Sequence, residues 1–175
     1  MTPSATPQPE FWLRGPLPAV PPLLQPVAHA LLQARHEVET ALHDFPDALL
    51  TARPAGVASV GFHLHHLAGV LDRMQTYARH QPLSEAQLAY LAAENDVPTV
   101  PGSTTALVQH FCDIVEQLLA YLPTVLEATL PEFRPVGRAG LPSTVIGLLV
   151  HAAEHTTRHV GQLLVTARVV QAGVA

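Results

Sequence analysis

The sequence predicts an all-α protein, namely a four-helix bundle with long crossover connections and an extended N-terminal arm. Three observations support this prediction. Apolar residues recur at steps of three or four in four long segments, which is the period of a helix with one buried face. No segment of convincing length shows the alternation of apolar and polar residues that marks a strand. The connections, of roughly 10 to 20 residues, are long enough for a crossover topology.

The N-terminal segment, residues 1–21, is predicted to be an extended arm. Eight of the 17 prolines fall within the first 26 residues, and proline lacks the N–H group that a helix needs. Phe11, Trp12 and Leu13 form an apolar triplet that we expect to dock on the domain or on a partner. Residues 22–175 are then expected to form one domain, because a chain of 175 residues supplies a single core of ordinary size.

Local signals mark the ends of the helices. The four long helices are predicted at residues 22–45, 60–80, 103–130 and 143–171. Pro26 lies in the first turn of the first helix, where a missing N–H does no harm. Ser59 is expected to cap the second helix, and Ser84 and Gln87 have the spacing of a capping box for a short helix that follows it.

The last two long helices carry signals of their own. Pro123 should kink or shorten the third. Residues 131–142, rich in proline, glycine and arginine, should form a loop that leads to Ser143, the expected cap of the fourth. Gly161 lowers the stability of that helix, so we expect a neighbouring helix to approach it closely.

Charge and composition exclude several classes of protein. The nine basic residues are all arginine and are scattered, and the net charge is −5, so a nucleic-acid partner is not expected and binding to an anionic membrane surface is disfavoured. No signal peptide and no apolar run long enough to span a membrane is recognised. Cys112 is the only cysteine, which excludes an intrachain disulfide and suits a reducing compartment. We therefore expect a cytoplasmic protein.

Histidines are the residues most able to do chemistry. The chain has 11, and His151, His155 and His159 follow one another at four-residue spacing in the last helix. Two histidines at positions i and i+4 can reach the same small cation. All three cannot serve one ion, because the outer pair is about 12 Å apart along the helix axis.

A second group of histidines lies in the second long helix, at His63, His65 and His66. His63 and His66 share a face at i and i+3, whereas His65 points nearly opposite. One inward-facing histidine of this helix, opposite an i, i+4 pair of the last helix, would supply three nitrogen ligands and leave an open coordination position, as in a catalytic site. The alternative is that the histidines only pack.

One tempting motif is discounted. His151, Glu154 and His155 match the H-x-x-E-H string of inverted zinc peptidases. No acidic residue follows Glu154, so the downstream acidic ligand is missing, and the match is interpreted as coincidence.

Two strings resemble the signatures of the DinB/YfiT-like superfamily, namely SVGFHLHHLA at residues 59–68 and HAAEHTTRHVGQ at residues 151–162. The resemblance covers most of the chain from about Leu23 onward. It implies a metal-binding four-helix bundle in which His66, His155 and His159 hold a divalent cation, zinc or nickel. It also implies a homodimer and an activity like that of the thiol-dependent S-transferases and isomerases of the family, which use low-molecular-weight thiols.

This sequence differs from the simplest form of the family pattern. His63 adds a second histidine on the same face, so that either His63 or His66 could be the ligand of the second helix. His63, His151 and Gln162 are therefore kept as candidates for an additional ligand or for orienting one. Two arginines, Arg73 and Arg158, could bind an anionic group of a substrate.

Three functions are compatible with the sequence. The one we favour is a metal-dependent thiol S-transferase that joins a small thiol to an electrophilic substrate. The alternatives are a metal-dependent hydrolase and a non-catalytic binding module. The nucleophile would be a metal-bound water or thiolate. The thiolate is preferred because the resemblance implies thiol transfer and because no carboxylate base is apparent beside the expected ligands. Cys112, next to Phe111, is expected to be a buried packing residue rather than the nucleophile.

Overall fold

The computed structural model describes residues 8–173 and is mostly helical. Residues 1–7 of the predicted arm, and residues 174–175, lie outside the described part. The helices are α1 (Gln25–Leu42), α2 (Val60–Ala78), α3 (Glu85–Ala92), α4 (Ser103–Tyr121) and α5 (Val145–Gln171), and one small sheet contains β1 (Phe133–Val136) and β2 (Leu141–Thr144). The prediction of an all-α protein is confirmed at this level, with one short hairpin added.

The four long helices pack around one apolar core. α1 packs mainly against α5 and α4, and α2 packs mainly against the same two helices, while α3 lies on α2. Side chains that are completely buried form the centre, among them Leu31, Leu64, Leu67, Leu118, Leu149 and Leu163. No helix within residues 8–173 has the length and apolar content needed to cross a membrane.

Capping groups fix the starts of α2 and α3 as the sequence predicts. The Ser59 hydroxyl accepts a hydrogen bond from the Phe62 N–H at 3.2 Å, which satisfies one free donor of the first turn of α2. Ser84 and Gln87 form the reciprocal capping box of α3. α4 ends at Tyr121, and a turn of 3-10 helix containing Pro123 follows, so the predicted shortening by proline is confirmed.

The hairpin β1–β2 was not expected, because residues 131–142 carry loop residues rather than an alternating pattern. Pro135 pairs with Pro142, and neither has an N–H to donate. A two-stranded sheet tolerates this pair because, within residues 8–173, the outer edge of each strand has no neighbouring strand to which it could donate a hydrogen bond. Gly137 and Gly140 adopt positive φ angles in the connecting turn.

The cap of α5 is also one residue later than predicted. The side chain of Thr144, rather than that of Ser143, accepts the hydrogen bond from the Gly147 N–H at 3.0 Å. The physical reason is the hairpin, because β2 continues through Ser143 to Thr144 and the helix begins only at Val145.

The described part of the arm docks on α1 through one residue of the apolar triplet. The Phe11 N–H donates to the Gln33 side chain at 3.3 Å, and the Phe11 ring lies edge-on to His36 at 6.1 Å between centroids. Trp12 and Leu13 remain 61% and 57% exposed. Of the three residues of the triplet, only Phe11 is therefore found docked on the described part of the domain.

The expected close approach of a helix to Gly161 is wrong. A Cβ placed on Gly161 would meet no atom within 4 Å. Close approaches occur instead at glycines of α2, such as Gly61, where a Cβ would lie 2.9 Å from the carbonyl oxygen of Leu50. The Gly61 N–H donates to that same oxygen at 2.9 Å, which ties the preceding loop to the start of α2.

Candidate metal site

Helices α2 and α5 bring three histidines of the predicted site together. His66 comes from α2, and His155 and His159 come from consecutive turns of α5. One ring nitrogen of each lies within 4.8 Å of the other two. Because two nitrogens bound to one zinc ion are each about 2.1 Å from it, they are at most about 4.2 Å apart, so the spread of the cluster is close to what one cation requires.

The closest contact in the cluster joins the two helices directly. Nε2 of His66 lies 2.8 Å from Nε2 of His155. The ring of Phe62 stacks on His66 with 13° between the ring planes, which shields one face of this imidazole from water. The stacked Phe62 ring and the contact with His155 of α5 thus hold the His66 ring in place.

His63 lies beside the three-histidine cluster and contacts one of its members. Its side chain is almost completely buried, and its Nδ1 lies 3.0 Å from Nδ1 of His159. Since this contact occupies Nδ1 of His159, the Nε2 atom of that ring is left for a cation. His65 lies elsewhere, as the helical spacing predicts, with its ring centroid 3.9 Å from that of Tyr90.

The site contains a carboxylate that the sequence did not reveal. Oε1 of Glu94, just beyond the end of α3, lies 2.8 Å from Nδ1 of His66. The inference that no carboxylate lies beside the ligands is therefore wrong. Arg73 of α2, at 3.5 Å, contacts the same Glu94 oxygen. Both partners of Glu94 come from α2, so packing of α3 on α2 assembles this part of the site.

This carboxylate sets the protonation pattern of His66. A carboxylate only accepts hydrogen bonds, so Nδ1 of His66 carries the proton that Glu94 accepts. The lone pair of His66 then lies on Nε2, on the side of His155. A carboxylate on the far nitrogen is the usual support of a metal-binding histidine.

The surroundings keep several of these histidines neutral. Burial lowers the pKa of His155 to about 4, assisted by repulsion from the neighbouring His159 and His66. The pKa of His63 is also lowered to about 4, mainly by burial and then by His159 and His66. Burial likewise lowers the pKa of His159. Neutral imidazoles keep a nitrogen lone pair at pH 7, which is the form that binds a cation.

The donor set is therefore compatible with a divalent cation. Imidazole nitrogen suits zinc, nickel, cobalt and copper, and three such donors leave room for a further ligand. A metal-binding histidine usually has a carboxylate on its far nitrogen, as Glu94 provides for Nδ1 of His66, and the histidine rings are partly buried. The residues present therefore fit a divalent cation.

The remaining candidates lie around the cluster. Nδ1 of His151 lies 2.8 Å from Oε1 of Glu154, and these two form a second possible cation group with His155 on the exposed side of α5. Gln162 is exposed and lines a cavity together with His63 and Arg158. Nη2 of Arg158 lies 2.6 Å from Nδ1 of His155.

Cys112 is buried away from this chemistry, as the sequence predicts. Its thiol lies 3.6 Å from Oε1 of Glu39, and burial together with this acidic neighbour raises its pKa to about 12. Almost none of the thiol is ionised at neutral pH, so Cys112 is a poor nucleophile.

Glu94 is the residue of the candidate site that the sequence did not predict. It lies 28 residues from His66, and no spacing rule connects the two. One local signal was present, since Glu94 follows the C-terminus of α3, where the helix dipole disfavours a negative charge. An acidic residue in an unfavourable position suggests a partner elsewhere.

Comparison with known proteins agrees with the geometry. No curated protein matches the chain by sequence. The family model of the DinB superfamily matches residues 30–163, a stretch that contains every histidine of the cluster. Because this match covers most of the 175 residues, the chain belongs to the DinB superfamily.

Proposed function

We propose that this protein is a divalent-metal-dependent thiol S-transferase that uses zinc or nickel to join a low-molecular-weight thiol to a small electrophile. His66, His155 and His159 would hold the metal. A cation bound there would supply a Lewis acid that lowers the pKa of a thiol at the open position, so that its sulfur is nucleophilic near neutral pH.

The other residues of the site have supporting roles in this proposal. Glu94 would accept a hydrogen bond from Nδ1–H of His66 and so direct the lone pair of that ring towards the metal. His63 would accept a hydrogen bond from Nδ1–H of His159 and thereby leave Nε2 of His159 free to bind the metal. Phe62 covers His66 and excludes water from one side. Gln162 would orient a substrate in the adjoining cavity.

The same proposal includes the architecture that carries the site. We propose a four-helix bundle with crossover connections, formed by α1, α2, α4 and α5. The packing pairs support it, because α1 and α2 share α4 and α5 as their main neighbours and so occupy opposite corners. Opposite placement of consecutive helices requires a long connection between them, and residues 43–59 provide one.

The observation that carries the proposed function is the convergence of nitrogens from α2 and α5 within 4.8 Å, with a carboxylate on the far side of His66. The buried Cys112 supports an external thiol, because the only thiol of the chain is both buried and protonated. Glu94 already contacts Nδ1 of His66 and the guanidinium of Arg73, so it is poorly placed to act as the base of a hydrolase.

The test is an S-transfer assay on protein loaded with zinc or nickel, with cysteine as the thiol and monochlorobimane as the electrophile. In the reaction the sulfur forms a C–S bond, chloride leaves with its electron pair, and the thiol proton passes to solvent. We expect turnover that requires both the metal and the thiol and that is lost in His155→Ala. Ester cleavage without any thiol would favour the hydrolase, and failure to bind zinc or nickel would favour the binding module. The homodimer stays a prediction, testable by sedimentation.

A further inference from the structure

A cavity of about 560 Å³ opens beside the histidine cluster, between the loop that precedes α2 and the exposed face of α5. Val57 and Val165 give it apolar walls, and His63, Arg158 and Gln162 give it polar groups. Its size is that of a small-molecule pocket. Among residues 8–173, Arg158 is the one charged residue in the lining of this cavity, so we expect the cavity to recognise an anionic group.

Arg158 is also in contact with the cluster. Its Nη2 lies 2.6 Å from Nδ1 of His155 and 4.0 Å from a Glu154 oxygen, and that Glu154 oxygen is itself 2.8 Å from Nδ1 of His151. A guanidinium only donates hydrogen bonds, so Nδ1 of His155 must accept. A neutral imidazole carries one proton, which in His155 then lies on Nε2.

The hydrogen bonds across the site are consistent with this assignment. Glu94 fixes the proton of His66 on Nδ1, so Nε2 of His66 is an acceptor. Nε2 of His155, at 2.8 Å, is then the donor of that contact. The direction of the whole chain is set by its two ends, because Arg158 can only donate and Glu94 can only accept.

A bound cation and Arg158 require different tautomers of the His155 ring. A cation bound at Nε2 needs the lone pair there, so the proton of the neutral ring must lie on Nδ1. That N–H would face the N–H groups of Arg158, and two donors cannot form a hydrogen bond. Arg158 must therefore leave His155 when Nε2 of His155 binds a cation.

From this conflict, we infer that Arg158 couples metal binding to anion binding: metal binding at His155 releases the guanidinium, which then binds the carboxylate of a small, partly apolar ligand in the cavity. This inference rests on the metal site of the proposed function. Glu154 does not remove the need for such a ligand, because it is half exposed, shares its oxygen with His151, and would form only a weak surface ion pair with Arg158.

The first measurement is the zinc affinity of Arg158→Met, obtained by competition with a chromophoric chelator. Methionine keeps most of the side-chain length and removes the donors and the charge. We expect zinc to bind several-fold to about tenfold more tightly than to the wild type, since the competing hydrogen bond is gone. Arg168→Met is the matched control, because it removes an exposed arginine of the same helix about 15 Å along its axis. Its zinc affinity should equal that of the wild type.

The second measurement repeats the titration with butanoate or with butanamide, which is similar in size but uncharged. Because coupling between two sites is reciprocal, butanoate should tighten zinc binding to the wild type and to Arg168→Met, butanamide should not, and neither should affect Arg158→Met. Equal zinc affinities of Arg158→Met and the wild type would overturn the inference. A butanoate effect that persists in Arg158→Met would also overturn it, since the carboxylate would then be binding the metal directly.

These outcomes separate this inference from the proposed function. If wild-type protein binds zinc but Arg158→Met behaves as the wild type does, only the role of Arg158 is lost. If wild-type protein binds no zinc, both the inference and the metal-dependent function fail.

Discussion

Oε1 of Glu94 and Nδ1 of His66 lie 2.8 Å apart although 28 residues separate them in sequence. Both side chains are mostly buried, at 18% and 16% exposed. The contact means that the orientation and tautomer of His66, the proposed metal ligand on α2, depend on how α3 packs against that helix. It also predicts that metal affinity is sensitive to a residue that never touches the metal.

Replacing Glu94 should weaken metal binding without removing a ligand. We expect Glu94→Ala to lower zinc affinity by roughly 10- to 100-fold, because Nδ1 of His66 loses its acceptor. Glu94→Gln should have a smaller effect, since the amide oxygen still accepts. Glu85→Ala is the control, because Glu85 is an exposed acidic residue in the first turn of α3. Unchanged zinc affinity in Glu94→Ala, measured by chelator competition, would contradict this role.

Removing the two α5 histidines of the three-histidine cluster should abolish the site and leave the fold intact. His155→Ala with His159→Ala deletes two of three nitrogen donors, and neither side chain belongs to the central apolar core. We expect the metal content after zinc loading to fall from about one ion per chain to near zero, with an unchanged far-UV circular dichroism spectrum. His43→Ala, with a side chain 80% exposed, should keep its metal. A double variant that still binds stoichiometric zinc would place the metal elsewhere.

The metal-free protein should lose stability as the pH falls from about 6.5 to about 4. In the unfolded chain His63 and His155 have the ordinary histidine pKa of 6.5, whereas in the folded protein the pKa of each is about 4. Between these values the unfolded state binds protons that the folded state does not, so stability is fully present above pH 6.5 and is lost as the pH decreases. Below about pH 4, His63 and His155 cause no further loss of stability.

This pH dependence can be assigned by variants. Urea unfolding at a series of pH values, in the presence of a chelator, gives the change in the free energy of unfolding with pH. His155→Gln should show a shallower dependence than the wild type, and His43→Gln should not differ from it. A stability that is constant, or that rises as the pH falls through this window, would show that the cluster is not held neutral.

Cys112 should be dispensable for the proposed reaction. Its pKa is raised to about 12, so the thiolate is scarce at pH 8, and its side chain is buried. We expect the thiol of the folded protein to react far more slowly with a disulfide reagent than the same thiol in urea. Cys112→Ala should retain thiol-dependent turnover. Loss of turnover in this variant, with the fold intact, would make Cys112 the nucleophile instead of an added thiol.

The sequence predicted those parts of the site that depend on helical periodicity. His155 and His159 share a face because they are four residues apart, and His66 faces them because it borders the apolar stripe that contains Leu67. Glu94 could not be predicted in this way, since its position depends on the docking of α3 on α2, a tertiary contact without a local pattern.

The fold shows the same division between local and tertiary signals. Ser59 and Pro123 act within a few residues, and both were interpreted correctly. The hairpin β1–β2 was missed because Pro135 and Pro142 oppose each other, which local propensity counts against a strand. Gly161 was misinterpreted because a glycine that faces a cavity and one that faces a helix look alike in sequence.

The most direct test is anomalous diffraction at the zinc absorption edge from crystals of the zinc-loaded protein. We expect one strong peak per chain between α2 and α5, about 2.1 Å from a nitrogen of each of His66, His155 and His159. A peak bound instead by His151 and Glu154 on the exposed side of α5, or no peak near His66, would contradict it.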